Sequence, residues 1–291
     1  MFFRINNLDD MCGILSEKYL VIEQDYLANM IGSMNMPAGI IKHVQHEEPK
    51  VDLVVAANSY SPEELRWYYG INTEKSKTGL VAIIPLNGVM SRDGWYGANT
   101  TWIARQIMIA AENTEVTGIV LRVSSPGGAV DGTQYLARLI AEVKKPIVSW
   151  VSHMGASGAL WVMSQTSEIW LESKITSVGS LGVMSTIVSY AGQLQKEGID
   201  VRVLRSKGSE NKALLNPYEP ILDEAVKDEQ RVIDMIKSEF LGDVRGKRPQ
   251  VSAEVDGKLY YGNDGIKVGF ADNMGSLREA IKRADFLGRI N

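Results

Sequence analysis

The chain has 291 residues, 45% of them apolar and 23% charged, with a formal net charge of −4. That length and apolar content allow one large domain or two modest ones with a substantial core. The slight acidic balance excludes the basic footprint of a nucleic-acid or anionic-membrane binder, and a single cysteine, Cys12, excludes an intrachain disulfide.

Met1-Phe2-Phe3-Arg4 is followed at once by Asn6, Asn7, Asp9 and Asp10 rather than by the apolar run of a secretory leader. The expected location is therefore cytoplasmic. Glu23–Met34 has helical periodicity, broken by Met36-Pro37-Ala38-Gly39. Ser61–Tyr69 opens like a second helix, with Ser61 as N-cap, Pro62 in the first turn and Glu64 three residues after the cap. The polar stretch Glu74–Gly79 is the best boundary. It separates a mainly helical N-terminal extension, 1–78, from a second domain, 79–291.

From residue 80 strands and helices alternate. Leu80–Leu86 and Gly118–Val123 read as buried strands, with a helix over Thr101–Asn113 between them. Ala129–Val143 is an amphipathic helix, Ile147–Val151 a strand, Gly158–Met163 the start of a helix and Glu168–Leu171 a short strand. Ser185–Glu197 is predicted helical and Asp200–Leu204 a strand. A long helix covers Asp223–Leu241, ending near Gly242, and a short amphipathic one covers Ser276–Phe286. Arg245-Gly246-Lys247-Arg248 is expected in a solvated loop. The apolar stretch Ile147–Met163 carries His153 and three serines, so it reads as a strand-turn-helix rather than a membrane span. This alternation predicts an α/β fold of parallel βαβ units, with the site beyond the carboxyl ends of the strands.

Two Gly-rich turns fall at such ends. Ser157, in Ala156-Ser157-Gly158, sits where an apolar strand turns into an apolar helix, close to N–H groups with no intrahelical partner. An acyl-transfer nucleophile suits that place; a helix-capping serine does so equally. G-x-S-x-G is not satisfied, because Ala159 stands at its last glycine. Gly127 and Gly128, after the strand Gly118–Val123, could offer oxyanion donors or form a plain βα turn. For the base, His43 and His46 lie in the polar N-terminal region, and His153 lies only four residues before the serine. Lysine is the other choice, as Lys212 or Lys207 in the loop Ser206–Lys212. A solvated lysine amine titrates near 10.4 and must be desolvated to act near neutrality. Leu160, Trp161 and Met163 suggest apolar walls near that serine.

Four motifs in order carry a resemblance. They are Ser124–Gly128, Ala156-Ser157-Gly158, Gly179-Ser180-Leu181-Gly182-Val183, and Lys212 with Asn216-Pro217-Tyr218-Glu219-Pro220; Tyr260–Asp272 resembles a closing motif. Over about residues 80–285 the chain resembles the serine–lysine peptidases of the signal peptide peptidase A / protease IV family, and within it the phage head-maturation proteases. The resemblance implies a crotonase-like (Clp-protease-like) fold and endopeptidase activity without cofactor or metal. It implies Ser157 as nucleophile, Lys212 as general base, and Ser180 as the hydroxyl that orients the lysine amine. Backbone N–H groups of Gly127, Gly128 and Gly158 would form the oxyanion hole. It further implies a peptide or protein substrate, such as phage capsid or scaffold proteins, and a virion- or prohead-associated setting. A homo-oligomeric ring without a membrane anchor is expected, with Lys212 able to serve the serine of a neighbour. Two departures are Val178, where threonine is common, and His153, where a small or acidic residue is usual. The alternatives are an acyl-CoA enzyme on the same fold, whose carboxylate base could only be Asp131, and a silent structural subunit of a phage assembly.

Overall fold

The computed structural model describes residues 20–22, 51–55, 79–93 and 97–290. The helices expected at Glu23–Met34 and Ser61–Tyr69, with His43 and His46, lie outside the described residues.

The larger sheet is built on three parallel strands, β3 (Leu80–Asn87), β6 (Val116–Ser125) and β8 (Ile147–Ala156), in the order β3-β6-β8. β2 (Asp52–Val55) joins antiparallel beyond β3. On its far side β8 pairs with β9 (Glu168–Leu171) along its first half and with β10 (Ser177–Gly179) along its last residues, both in parallel. β11 (Leu259–Tyr261) closes that edge antiparallel to β10, and β12 (Asn273–Met274) extends β9. A smaller sheet has the order β1 (Leu20–Ile22), β7 (Gly127–Ala129), β4 (Met90–Ser91), β5 (Ala98–Asn99). Two strands from before residue 79 thus pair with strands from after it.

The parallel strands are buried on both faces, and their side chains alternate between two cores. Ala82, Ile84, Leu86, Ile119, Leu121 and Val151 face a large cluster. That cluster is completed by α1 (Thr100–Glu112), α2 (Thr133–Glu142), α3 (Gly158–Ser164) and α5 (Asp223–Lys247), which follows the short α4 (Ala191–Lys196). Val81, Ile83, Val120, Val148 and Trp150 face Ala280, Ile281 and Ala284 of α7 (Leu277–Ile290), the helix after α6 (Gly262–Lys267). α7 lies almost on the β6 backbone: a Cβ on Gly288 would come 1.9 Å from the Thr117 carbonyl oxygen. Burying each Val, Leu or Ile in such a core contributes about 1.5–3 kcal/mol. Trp161 of α3 stacks on Phe240 of α5, with centroids 4.6 Å apart, and its indole N–H donates to Asp243 at 2.8 Å.

The strands and helices expected between 80 and 171 are present, with two adjustments. Gly127–Ala129 is a strand, so α2 starts at Thr133 rather than at 129. β8 runs on to Ala156, right up to the serine. Further along the differences grow. The long helix passes through Gly242 to Lys247 because Phe240 and Val244 are packed into the core on either side of it. The basic cluster is not a solvated loop: it forms the last turn of α5, and Arg248, 4% exposed, pairs with Asp272 at 2.9 Å. Only Ala191–Lys196 of the expected 185–197 helix forms. Among the described residues, 200–204 pair with no strand, and Leu204 is 91% exposed. Neither segment buries an apolar face, and a short helix or a lone strand is marginal in water without one. Among the described residues no helix is long and apolar enough to cross a membrane.

Candidate active site

Ser157 bridges the buried end of β8 and the fully buried α3, and is itself 1% exposed. Its backbone adopts φ 54° and ψ −120°, a region costing on the order of 1–3 kcal/mol for a residue with a Cβ. The surroundings hold it there. Its N–H donates to the Gly179 carbonyl at 2.8 Å, and its carbonyl accepts from the Trp161 N–H at 3.0 Å. The side chain makes no capping bond to the helix, so the capping role does not explain the residue. Among the described non-glycine residues, positive φ occurs at Ser157, at Ser180 (53°) and at Ala213 (55°), which follows Lys212. Strain therefore falls on or beside each of the three expected site side chains.

Ser180 follows β10 as Ser157 follows β8, and the residues before them, Gly179 and Ala156, are register partners. The two serines are thus brought together at one sheet end. Ser180 is half-buried, and its N–H donates to the Lys258 carbonyl at 2.9 Å.

The Gly-rich turn reaches the same end, since Ser125 of β6 is in register with Gly155 of β8, and β7 packs against α3. Gly128 pairs with Met90, and a Cβ there would stand 2.0 Å from the Met90 carbonyl oxygen; no other residue fits. Gly127, at φ 95°, donates its N–H to the Ser125 hydroxyl at 3.2 Å, and that hydroxyl donates to the Gly88 carbonyl at 2.6 Å. The Gly127 N–H is therefore engaged within this chain. The N–H of Gly158, in the first turn of α3, has no intrahelical partner. The expected apolar walls are absent: Leu160, Trp161 and Met163 belong to the core, at most 1% exposed.

Lys212 lies elsewhere in character. From Gly182 to Glu224 no residue is buried, and Lys212 and Lys207 are both exposed. Among the described residues no hydrogen bond or ion pair joins Lys212 to Ser157. The described residues do not supply the dry setting a lysine base requires. His153, on β8, is also exposed. Asp131 is tied to Arg92 by two bonds of 2.6 and 2.7 Å, which hold its carboxyl below the usual carboxylate range and weaken it as a base. A cavity of about 290 Å³ at the amino end of β8 is lined by Lys145, Arg248 and Asp272. Two of its cations are already engaged: Lys145 donates to the Ala110 and Asn113 carbonyls at the end of α1, and Arg248 to Asp272.

Sequence reasoning missed the surroundings of Lys212. Arg205 donates to the carbonyls of Lys212 (2.6 Å) and Ala213 (3.1 Å) and forks onto Glu219. Arg205 and Glu219 are fourteen residues apart, with no periodic spacing to link them.

Residues 140–290 match peptidase family S49. The chain is 32% identical over 187 residues to a protein described as a protease in Methanocaldococcus jannaschii, covering 62% of this chain and 59% of that one. It is 26% identical over 302 residues to the capsid assembly protease C of Escherichia phage lambda, covering 97% and 66%. The chain thus spans less than two thirds of the length of either relative. Among solved structures, a ClpP1 mutant from Listeria monocytogenes aligns with a TM-score of 0.45 and 11% identity, covering 69% of this chain and 94% of that chain.

Proposed function

Because the chain belongs to peptidase family S49, we propose that it is a serine endopeptidase with Ser157 as nucleophile and Lys212 as general base. The observation that carries this reading is the strained, buried Ser157, whose hydroxyl caps no helix. In acylation the Ser157 oxygen attacks the scissile carbonyl while its proton passes to the Lys212 amine. The Gly158 N–H donates to the developing oxyanion; such a donor is worth about 2.7–4 kcal/mol in the transition state. The amine product leaves with the proton from Lys212, and water resolves the acyl-enzyme by the reverse transfers. Ser180, at the same sheet end, is the hydroxyl that would orient the lysine amine.

The exposure of Lys212 supports a site shared between copies, in which a second subunit of a homo-oligomeric ring desolvates its amine. The lambda relative's name supports phage or prophage capsid and scaffold proteins as substrates. Asp131, tied to Arg92, speaks against the acyl-CoA reading, which needs a free carboxylate.

A fluorophosphonate probe tests the assignment. Wild-type protein should be labelled at one site, and Ser157→Ala should not be. Equal labelling of the variant would reject Ser157, and unlabelled wild type would favour a silent structural subunit.

A further inference from the structure

The segment from Gly182 to Glu224 contains no buried residue, yet its geometry around Lys212 is tightly specified. Arg205 is the reason. Its Nε donates to the Lys212 carbonyl at 2.6 Å and its Nη2 to the Ala213 carbonyl at 3.1 Å. The same guanidinium forks onto Glu219, Nη1 to Oε1 at 3.0 Å and Nη2 to Oε2 at 2.5 Å. Asn216 closes the ring: its side-chain amide donates to the Ala213 carbonyl at 2.8 Å and to the Glu219 carboxylate. Glu219 is tethered in turn to the first leg of the segment, its carbonyl accepting from the Ser189 hydroxyl at 2.7 Å. The carbonyls of Lys212 and Ala213 converge on one cation because Ala213 turns the chain with φ 55°. A left-handed alanine on the surface is unfavourable unless its neighbours over-determine it, and this fork does so. The Arg205 side chain is 16% exposed and that of Glu219 31%, the best-shielded ion pair of the segment.

We propose that Arg205, with Glu219 and Asn216, is the positioning device that presents Lys212 to the serine. The inference rests on Lys212 being the general base and adds which residues aim it. No hydrophobic packing fixes the lysine's backbone, so charge-assisted bonds must, and a planar guanidinium can hold two carbonyls and a carboxylate at once. An ammonium cannot. Holding the lysine in place before the subunits meet lowers the ordering cost of assembling the site, and a misplacement of about 1 Å there costs on the order of 10²-fold in rate.

The test uses the full-length protein and a fluorophosphonate, separating the maximal phosphonylation rate of Ser157 from the affinity for the probe. Arg205→Lys and Arg205→Gln should lower the maximal rate by about 10- to 10²-fold, with affinity within about twofold. The limb of the rate–pH profile should also move upward by about one pH unit, equivalent to a tenfold loss at fixed pH. Glu219 is held down to about 2 by Arg205 and Asn216, so the clamp does not itself titrate within such an assay. Asn216→Ala, which removes one strut and keeps the ion pair, should lose less rate, guarding against variants that fail to fold. Folded Arg205 variants with the wild-type rate and profile would overturn the proposal. So would a reduced rate with an unmoved profile, because loss of active enzyme alone lowers amplitude without shifting the limb. Lys212→Ala separates the two levels. If it is inactive while Arg205→Gln is normal, only the clamp falls; if it is fully active, the base assignment falls with it.

Discussion

The two halves of the candidate site are held by opposite physics. Ser157 stands between Ala156 and Gly158 in a stretch of unbroken burial, where a strained backbone is imposed by strands and helices packed on every side. Lys212 stands in a segment without one buried residue, its turn maintained by a guanidinium, a carboxylate and an amide. Packing fixes where a residue sits in the whole fold, because every contact refers back to the common core. Short polar bonds within one segment fix only its local shape. The place of Ser157 is thus defined by the subunit, and that of Lys212 only by its own loop.

The sharpest way to break this contrast is complementation. Ser157→Ala and Lys212→Ala should each be inactive, the lysine loss alone removing about 10²- to 10⁴-fold. Mixing the two under conditions of subunit exchange should restore activity, measured as peptide cleavage. Failure to restore, with exchange verified, would mean that serine and lysine meet within one chain.

A core substitution should act on one half only. Phe240→Ala removes the stack on Trp161, in the helix that Ser157 opens, and should destabilise by about 3–5 kcal/mol with a clear drop in Tm. Arg205→Gln should leave Tm nearly unchanged, since it anchors nothing to the core. Comparable drops in Tm for the two variants would erase the distinction drawn above.

Acid should act on the other half. The Glu219 carboxyl titrates at about 2, below its ordinary 4.5, because of Arg205 first and Asn216 second. A depressed carboxylate stabilises fully above the unfolded value and loses that contribution as pH falls through the folded one. Protection of backbone amides in 205–219, corrected for intrinsic exchange, should hold down to about pH 4.5 and fall toward pH 2. Glu219→Gln should lack this acid limb; identical profiles for variant and wild type would remove the carboxylate from the account. The smallest effect is expected at His153→Ala. Its exposed ring should be dispensable, and retention of most activity checks that it is not the base.

Legibility in the sequence followed the same division. Strands at 80–86, 118–123 and 147–151 were readable because continuous apolar runs leave a parallel strand buried on both faces little alternative, and Ser157 stood out as a candidate because it follows such a run at Ala-Ser-Gly. The helix over 185–197 and the strand over 200–204 were misread, since their periodic residues are apolar by type but buried by nothing. Local pattern reports the capacity to be covered, not the presence of a cover. Arg248 was misread in the reverse sense, as a charged residue given to solvent that folding places beside Asp272.

By itself, then, the order of residues determined the α/β class and the strand end at which Ser157 stands, because hydrophobic periodicity and turn chemistry act over a few neighbours. Only the tertiary structure decided that Ser157 and Ser180 share one sheet end, that the Gly127 N–H is already engaged, and that Lys212 is held by Arg205 and Glu219. The first depends on separate strands meeting in space, and the other two on side-chain bonds that follow no periodic spacing, so no local rule encodes them.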